Sequence, residues 1–418
     1  MSSKTLLIIG FVWPEPNSSA AGIRMLQLIN LFIEQGFEIT FVTAANHSDK
    51  TFDLSSIGVK TQTIELNNPS FDIFVKELNP DIVLFDRFMT EEQFGWRVTE
   101  QCPNTLRVLD TEDFHGLRKG RELALKAAEE FSISHLQNNT TKREIASLYR
   151  CDLSLIISEV EKEILTQQFK IDASLLYYLP FLIEPIIKSE IAVLPSFESR
   201  EHFITIGNFL HPPNFDAIQY LKKTIWPLIK TRLPNAEMHV YGAYESQKIT
   251  QLNDKKDGFL IKGYIKDVNE VMQKAKVCLA PLRYGAGLKG KLFDAIQNGT
   301  PSVMSTIAAE GLFGRLEANG FIEDNPDAFA TKAVALYENS NLWGIQQQLG
   351  FKTLNERFNS AEFKTNFKNK ITDLSENIDH YRQHNFTGQL LMHHTLQSTK
   401  YMSKWIAVSY THLTLPTN

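Results

Sequence analysis

The sequence contains few cysteines. Cys102, Cys151 and Cys278 are the only three in 418 residues, and no two of them form a CxxC pair. This number and spacing exclude a disulfide framework and a cysteine-ligated zinc site. A reducing compartment suits such a chain, so we expect a cytoplasmic protein.

Long apolar runs and an excess of one charge are also missing. No stretch reaches the roughly 18 apolar residues of a membrane-spanning helix, so we expect none. The 43 Lys and Arg residues and the 48 Asp and Glu residues leave a formal net charge of -5. That balance gives no electrostatic reason to expect a nucleic-acid partner. What the sequence does contain is 43% hydrophobic residues over a length that predicts two domains.

The two ends of the chain need separate interpretation. The apolar run Leu6–Val12 lacks a small-residue cleavage site, so we interpret it as a buried first strand rather than a signal peptide. Residues 407–418 contain no Asp, Glu, Lys or Arg. We interpret them as a non-native tail, and a frayed native terminus is the alternative.

Short apolar or β-branched segments alternate with amphipathic ones, which is typical of parallel sheets with crossover helices. The first half predicts strands at Leu6–Val12, Glu38–Thr43, Val59–Glu65, Asp81–Asp86, Thr105–Asp110, Leu153–Ser158 and Leu175–Leu179. The second half predicts strands at Phe203–Gly207, Glu237–Gly242, Phe259–Tyr264, Val277–Pro281 and Pro301–Ser305. The predicted helices include Ile23–Gln35, Glu91–Cys102, Leu117–Tyr149, Phe215–Ile229 and Lys289–Asn298.

Three prolines between residues 180 and 199 interrupt regular structure and mark a linker. We therefore predict an α/β fold of two doubly wound, Rossmann-like domains that face a cleft, at 1–185 and 200–357. A helical segment at 358–406 is expected to return across both domains.

The turn Arg283–Asp294 joins a predicted strand to a predicted helix. Gly285 and Gly287 permit a tight turn that exposes backbone N–H groups at the helix start, where an anion is favoured. Lys289 and Lys291 add two positive charges beside that position.

Asp294 lies one turn along from Lys291 on the same helix face, so its carboxylate can accept hydrogen bonds from sugar hydroxyls. Together these residues predict a site for a diphosphate next to a ribose. The alternative is an ordinary glycine turn with a solvated lysine pair. Neither the GxxxxGK[ST] spacing nor the NAD fingerprint is present.

Four blocks in fixed order resemble the donor domain of retaining GT-B glycosyltransferases of family 4, the glycosyl transferases group 1. They are Ile206–Asn214, Ile225–Pro227, the turn just described and Ala308–Leu312. The resemblance implies a hexosyltransferase that retains the anomeric configuration. It also implies a nucleotide-diphosphate sugar as donor substrate. Because Lys289, Lys291 and the helix start can stabilise the diphosphate, we expect no metal and no other cofactor.

The resemblance assigns roles by position. The implied nucleotide-sugar-binding residues are Gly207, Asn208, Gly285, Ala286, Gly287, Leu288, Lys291, Asp294 and Glu310. Lys289 and Lys291 would stabilise the leaving diphosphate. The family commonly has two glutamates eight positions apart, and here Ala286 and Asp294 stand at those positions, so the first carboxylate is missing.

The amino-terminal half has two loops of interest. The loop Trp13–Arg24 opens a helix, and the resemblance makes Gly22 and Arg24 candidates for the cleft, with a simple helix N-cap as the alternative. The turn Leu109–Arg121 concentrates titratable side chains, as clefts tend to do. The resemblance implies that His115 contacts the donor sugar or the acceptor. Asp113 and Arg118 are further candidates for the acceptor side.

The predicted acceptor is a hydroxyl of a glycan, a lipid-linked glycan or a small molecule. The protein is expected in the cytoplasm. Basic and aromatic residues near the carboxyl terminus predict either peripheral contact with the inner face of a membrane or a plain docking helix. The adjacent His393 and His394 diverge on a helix and predict no metal site. A nucleotide-sugar epimerase of the same fold and a non-catalytic nucleotide-sugar-binding protein remain alternatives.

Overall fold

The computed structural model describes residues 4–395, 401, 402 and 405. Two parallel β-sheets form its framework. The strands of the first sheet are β1 (Lys4–Gly10), β2 (Phe37–Thr43), β3 (Lys60–Thr63), β4 (Ile82–Asp86), β5 (Leu106–Asp110), β6 (Leu153–Ile156) and β7 (Leu176–Tyr178). The strands of the second sheet are β8 (His202–Ile206), β9 (Met238–Tyr241), β10 (Phe259–Gly263), β11 (Ala275–Ala280), β12 (Ser302–Met304) and β13 (Gly320–Ile322).

Helices connect the strands and cover both faces of each sheet. In the first half they are α1 (Ala20–Glu34), α2 (Ser70–Leu78), α3 (Arg87–Gln101), α4 (His115–Ala127), α5 (Asn139–Arg150) and α6 (Glu159–Gln167). The linker carries α7 (Lys188–Ala192), and the second half has α8 (Pro212–Tyr220), α9 (Trp226–Arg232), α10 (Gln247–Thr250), α11 (Val268–Met272), α12 (Gly290–Gln297), α13 (Thr306–Ala309) and α14 (Pro326–Glu338). The helices α15 (Ser340–Arg357), α16 (Ser360–Glu376) and α17 (Ile378–His384) follow, and residues 386–395 are helical as well.

The strand order of each sheet indicates where a ligand crevice lies. The first sheet runs β3-β2-β1-β4-β5-β6-β7 and the second β10-β9-β8-β11-β12-β13. In both, the connections change direction beside the first strand, and a doubly wound sheet has its ligand crevice at that position. The predicted fold class is confirmed.

Burial on both faces explains the continuous apolar strands. In β1, Leu6 and Ile8 face one hydrophobic core while Leu7 and Ile9 face another, and all four are essentially inaccessible. Parallel sheets covered by helices on both sides favour such runs over strict alternation.

The chain returns to the first domain after α15. Ile183 pairs with Asn359 in an isolated bridge, and α16 then packs Phe367, Ile371 and Leu374 into the core of the first sheet. The predicted returning helix is therefore present. The predicted tail at 407–418 lies outside the described residues.

Some predicted elements were wrong or missed. The single helix predicted at Leu117–Tyr149 is two helices, because Ala128 adopts a left-handed conformation (φ 56°) that ends α4. The short strand β13 and the helices α2 and α6 were not predicted. Within the described part of the chain, no helix combines the length and apolar composition needed to cross a bilayer.

Candidate functional site

A cavity of about 790 Å³ lies between the carboxyl ends of the two sheets. The amino-terminal wall consists of lining residues from 11–23, 87–89 and 112–118. The carboxyl-terminal wall consists of lining residues from 206–214, 242–244, 264–269 and 282–294. Both walls are built from loops that follow parallel strands.

Lys291 lies in the first turn of α12 and lines the cavity. Its Nζ donates a hydrogen bond of 2.9 Å to Oδ1 of Asn214, which holds the ammonium in place. Burial lowers the pKa of Lys291 to about 8, since no carboxylate forms an ion pair with it in the described structure. An anionic ligand would stabilise the charged form.

Lys289 is the residue that precedes α12, and only 8% of it is exposed. Its Nζ donates to the carbonyl of Gly287 at 2.7 Å. Burial, reinforced by the charge of Arg121, lowers the pKa of Lys289 to about 8, while nearby carboxylates oppose the shift. Two weakly compensated ammonium groups therefore flank the start of α12.

Asp294 also lines the cavity from α12. Burial raises its pKa to about 7, and Lys291 only partly offsets that effect. Near neutral pH the carboxyl group is thus available in both protonation states, and either state can hydrogen-bond a hydroxyl.

Gly207 and Asn208 lie beside Lys291 in the same wall. The backbone is tightly packed at this point, because a Cβ on Gly242 would lie 2.1 Å from the carbonyl oxygen of Gly207. Asn214 donates to the carbonyl of Asn208 at 3.1 Å while it accepts from Lys291. Asn214 therefore joins the first and third sequence blocks. It was quoted within a motif but not assigned a role from the sequence.

The glycine turn differs from its prediction. Gly285, Ala286 and Leu288 line the cavity, but Gly287 does not. The N–H of Gly287 (φ 65°) donates to Glu161 of the amino-terminal domain at 2.6 Å. This donor is occupied by protein in the structure, so it does not face a ligand in the cavity.

Glu310 is also held away from the cavity. Arg121 of the amino-terminal domain forms two hydrogen bonds with its carboxylate, at 2.6 and 2.8 Å, and a third with the carbonyl of Gly285. Arg121 and Glu161 therefore tie the glycine turn to the opposite domain. These pairings span more than 120 residues of sequence and had no local signal.

His115 begins α4 and lines the amino-terminal wall. Its Nδ1 lies 3.0 Å from Oδ1 of Asp113 and 3.6 Å from Oε1 of Glu144. Although burial opposes the shift, Asp113 and Glu144 raise the pKa of His115 to about 10. The ring is therefore an imidazolium at neutral pH, with Nε2–H as the donor that remains for a ligand.

Two buried carboxylates fix the start of α4. Glu144 accepts from the N–H groups of His115 and Gly116, at 3.2 and 2.8 Å. Glu161 accepts from the N–H of Phe114 at 3.0 Å. Carboxyl oxygens at a helix N-terminus satisfy the unpaired N–H donors there. This capping explains the rigid placement of the His115 turn.

Asp113 and Arg118 both line the cavity and form an ion pair. The other contact of Arg118 is with Nε2 of His211 in the opposite wall, at 3.4 Å. Burial, together with Arg118, lowers the pKa of His211 to about 4, so the neutral ring accepts from the guanidinium. This contact joins the two walls beside the cavity.

Gly22 and Arg24 do not lie where they were predicted. Arg24 is 2% exposed and binds Asp110 and the carbonyl of Leu179 beneath the sheet end, so it is a core ion pair rather than a cleft residue. Gly22 donates to the N-cap residue Ser19, and a Cβ there would lie 2.4 Å from the backbone of Glu15. The alternative capping role describes Gly22 better.

Several lining residues were missed from the sequence. Arg87 follows β4, and the only available signal was its position after a strand. Glu112 follows β5 within the turn Leu109–Arg121, whose titratable side chains were expected at the cleft, but it was given no role. Glu15 accepts from the hydroxyl of Tyr244 at 2.6 and 2.7 Å and so closes the other side of the cavity. Among the described residues no group of His, Cys, Asp and Glu side chains could hold a metal ion.

Residues 200–339 match the family model described as glycosyl transferases group 1. The chain has the GT-B fold, and the region 200–339 is similar to the glycosyl transferases group 1. No curated protein matches the chain. The matched region contains every lining residue of the carboxyl-terminal wall.

The chain matches several solved structures of the same GT-B fold over nearly the whole length of each. A TarM mutant of S. aureus, in complex with Fondaparinux, alpha-GlcNAc-glycerol and UDP, matches with a TM-score of 0.67 and 11% identity over 88% of this chain and 99% of that one. Sucrose-phosphate synthase of Thermosynechococcus elongatus matches with a TM-score of 0.66 and 15% identity over 89% and 99%. Anabaena Alr3699/HepE, in complex with UDP and glucose, matches with a TM-score of 0.66 and 12% identity over 88% and 99%.

Proposed function

We propose that this GT-B protein transfers a hexosyl group from a nucleotide-diphosphate sugar to a hydroxyl of a glycan, lipid-linked or small-molecule acceptor, with retention at the anomeric carbon. One observation carries the proposal: two poorly compensated lysines at the start of α12 face a charged histidine across one cavity. The match of residues 200–339 to the glycosyl transferases group 1 supports glycosyl transfer as the reaction class.

The carboxyl-terminal wall supplies the donor contacts in this proposal. The diphosphate binds Lys291, Lys289 and the start of α12, and Asp294 binds the ribose hydroxyls. Similar structures hold UDP, which supports a uridine nucleotide as the first donor to test. Because both ammonium groups are desolvated, binding a diphosphate raises their pKa values and fixes their positive charge.

Transfer exchanges one bond for another. The acceptor oxygen bonds to the anomeric carbon, and the bond from that carbon to the phosphate oxygen breaks with its electron pair going to the diphosphate. The hydroxyl proton passes to a phosphate oxygen of the leaving group. Lys289, Lys291 and the helix start stabilise the developing negative charge, which is often the largest contribution to catalysis. His115, on the opposite wall, donates a hydrogen bond from its charged ring to the donor sugar or to the acceptor.

A non-catalytic nucleotide-sugar-binding protein is the second candidate. Its support is the missing carboxylate at Ala286 and the occupation of the Gly287 N–H by Glu161. An epimerase of the same fold would need no acceptor and would change the sugar of the donor.

Thermal unfolding of the purified chain with a panel of nucleotide sugars tests the proposal. We expect one donor to raise the melting temperature. After a panel of glycan, lipid-linked and small-molecule acceptors is added to that donor and the chain, chromatography should detect release of the nucleoside diphosphate. Binding without release would favour the non-catalytic protein, and a free epimer would favour the epimerase. No shift with any donor would refute all three.

A further inference from the structure

Three residues of the amino-terminal wall follow three adjacent strands. Phe11, Arg87 and Glu112 come after β1, β4 and β5, which are neighbours in the sheet. The strand ends are level, since Ile9 pairs with Phe85 and Asp86 with Asp110. The three side chains therefore reach the cavity side by side, from the turns that follow β1, β4 and β5. The turn after β5 also carries His115.

Two of these residues have a disfavoured backbone. Arg87 has φ 69° and Glu112 has φ 64°, in the left-handed region that glycine normally occupies. Strained non-glycine residues persist where the surrounding structure imposes them, and they concentrate at functional sites. Neither position uses glycine, and each presents a long charged side chain to the cavity instead.

Arg87 forms an ion pair with Asp86, but the side chains of Arg87 and Glu112 keep hydrogen-bonding capacity for a ligand. No described residue makes a hydrogen bond to either side chain, and the closest charged contact of Arg87 is Asp86 at 3.6 Å. The neighbouring Asp113 and Arg118, in contrast, bind each other. Burial and the charge of Asp113 raise the pKa of Glu112, and its carboxyl oxygens can accept hydrogen bonds from hydroxyls.

Phe11 supplies an apolar surface next to these charges. Its ring is 43% exposed and lies 5.2 Å from the guanidinium of Arg87. An exposed aromatic ring beside a carboxyl and a guanidinium that make no hydrogen bond to described residues suits a sugar ring, which has an apolar C–H face and a rim of hydroxyls that both donate and accept.

We propose that Phe11, Arg87 and Glu112 form an acceptor subsite for the sugar ring of a glycan. The inference rests on the proposed function and narrows its acceptor from any hydroxyl compound to a carbohydrate. Phe11 stacks on the ring, and Glu112 and Arg87 bind its hydroxyls. The subsite holds the acceptor beside His115 and opposite the start of α12.

Saturation-transfer difference NMR of the full chain tests this subsite with a panel of methyl glycosides and short oligosaccharides. The variants are Glu112→Gln and Phe11→Ala, and the matched control is Glu317→Gln at an exposed position outside the cavity. Thermal unfolding with and without UDP shows whether each variant is folded and binds nucleotide.

We expect the unaltered chain and the Glu317→Gln variant to bind the same glycan. Glu112→Gln and Phe11→Ala should weaken its affinity at least about tenfold while the UDP-dependent shift is unchanged. Absence of glycan binding, or equal binding by Glu112→Gln, would overturn the subsite. Glycan binding by a chain that binds no nucleotide would refute the proposed function but leave the subsite in place.

Discussion

The two walls of the cavity differ in how they hold their polar groups. In the carboxyl-terminal wall, Lys289 and Lys291 are fixed by backbone and amide oxygens, and the left-handed position of the glycine turn is filled by Gly287. In the amino-terminal wall, Arg87 and Glu112 occupy left-handed positions without glycine and make no hydrogen bond through their side chains to any described residue.

This difference follows from what each wall is proposed to bind. A diphosphate is a constant anion, so a contiguous turn and helix start can be shaped around it. An acceptor varies in shape, and its contacts come from three separate loops on a rigid sheet. We therefore infer that the donor site is formed mainly by one contiguous segment of the sequence. The acceptor site is formed by separate loops that the sheet topology brings together.

The largest expected effect is on the carboxyl-terminal wall. Lys291→Ala should weaken binding of the nucleotide diphosphate about 100-fold, or roughly 2.7 kcal/mol, because it removes a desolvated cation from the phosphate site. Titration calorimetry measures the change, with the exposed Lys256→Ala as the matched control. Equal affinity in both variants would mean that the diphosphate binds elsewhere.

The same site predicts a pH dependence of nucleotide binding. The pKa of Lys291 in the free protein is about 8, and a bound diphosphate raises it. Affinity should therefore be constant below about pH 8 and decrease above it, where the free lysine must first take up a proton. Affinity that stays level up to pH 9.5 would contradict this assignment.

An intermediate effect is expected where the walls are joined. Glu161→Ala leaves the N–H groups of Phe114 and Gly287 without their acceptor, which should destabilise the fold by about 2–4 kcal/mol. Glu161→Gln keeps an acceptor oxygen and should lose much less. Urea unfolding of both variants at pH 7 measures the difference, and equal losses would show that the two hydrogen bonds are not the cause.

Glu161 also has a distinct signature in pH. Burial and the charge of Asp113 raise its pKa to about 8, above the ordinary value of 4.5. The folded state thus holds this proton more tightly than the unfolded state. Relative to Glu161→Gln, the unaltered chain should be most stable below about pH 4.5 and should lose stability as pH rises toward 8. An opposite slope would contradict the burial of an uncompensated carboxyl.

The smallest effects have opposite signs on the two walls. Glu112→Gly should stabilise the fold by about 0.5 kcal/mol, because the left-handed strain disappears and glycine entropy offsets part of the gain. Gly287→Ala should destabilise it by about 1–2 kcal/mol, since φ is 65° and the new Cβ would lie 2.9 Å from Asp113. Thermal unfolding measures both changes.

Glu317→Gly is the control for this comparison, because it makes the same substitution at a residue without positive φ. It should lower the melting temperature slightly. If Glu112→Gly also lowered it, the strain assigned to the amino-terminal wall would be wrong.

Much of the fold could be predicted from the sequence because buried parallel strands leave continuous apolar runs. The strand β13 was not predicted because it has only three residues, of which Gly320 has no side chain to pack. The prediction of a single helix at Leu117–Tyr149 was wrong because the helical pattern of the sequence continues across Ala128. The left-handed conformation of Ala128 depends on the packing around it.

The site was predictable only in part. The turn Arg283–Asp294 is contiguous, so its two lysines and Asp294 could be proposed from residue types alone. The pairs Arg24–Asp110 and Arg121–Glu310 join distant segments, and their partners could not be read from local spacing. The same limit explains why Arg24 was placed in the cleft and why Glu161 was not considered.

A crystal structure of the chain with the nucleotide sugar that gives the largest thermal shift tests the central claim most directly. The account predicts diphosphate oxygens within about 3 Å of Lys291 Nζ and of the first N–H groups of α12, with the ribose at Asp294. The sugar should point toward His115. A nucleotide bound against the amino-terminal wall, or outside the cavity, would contradict it.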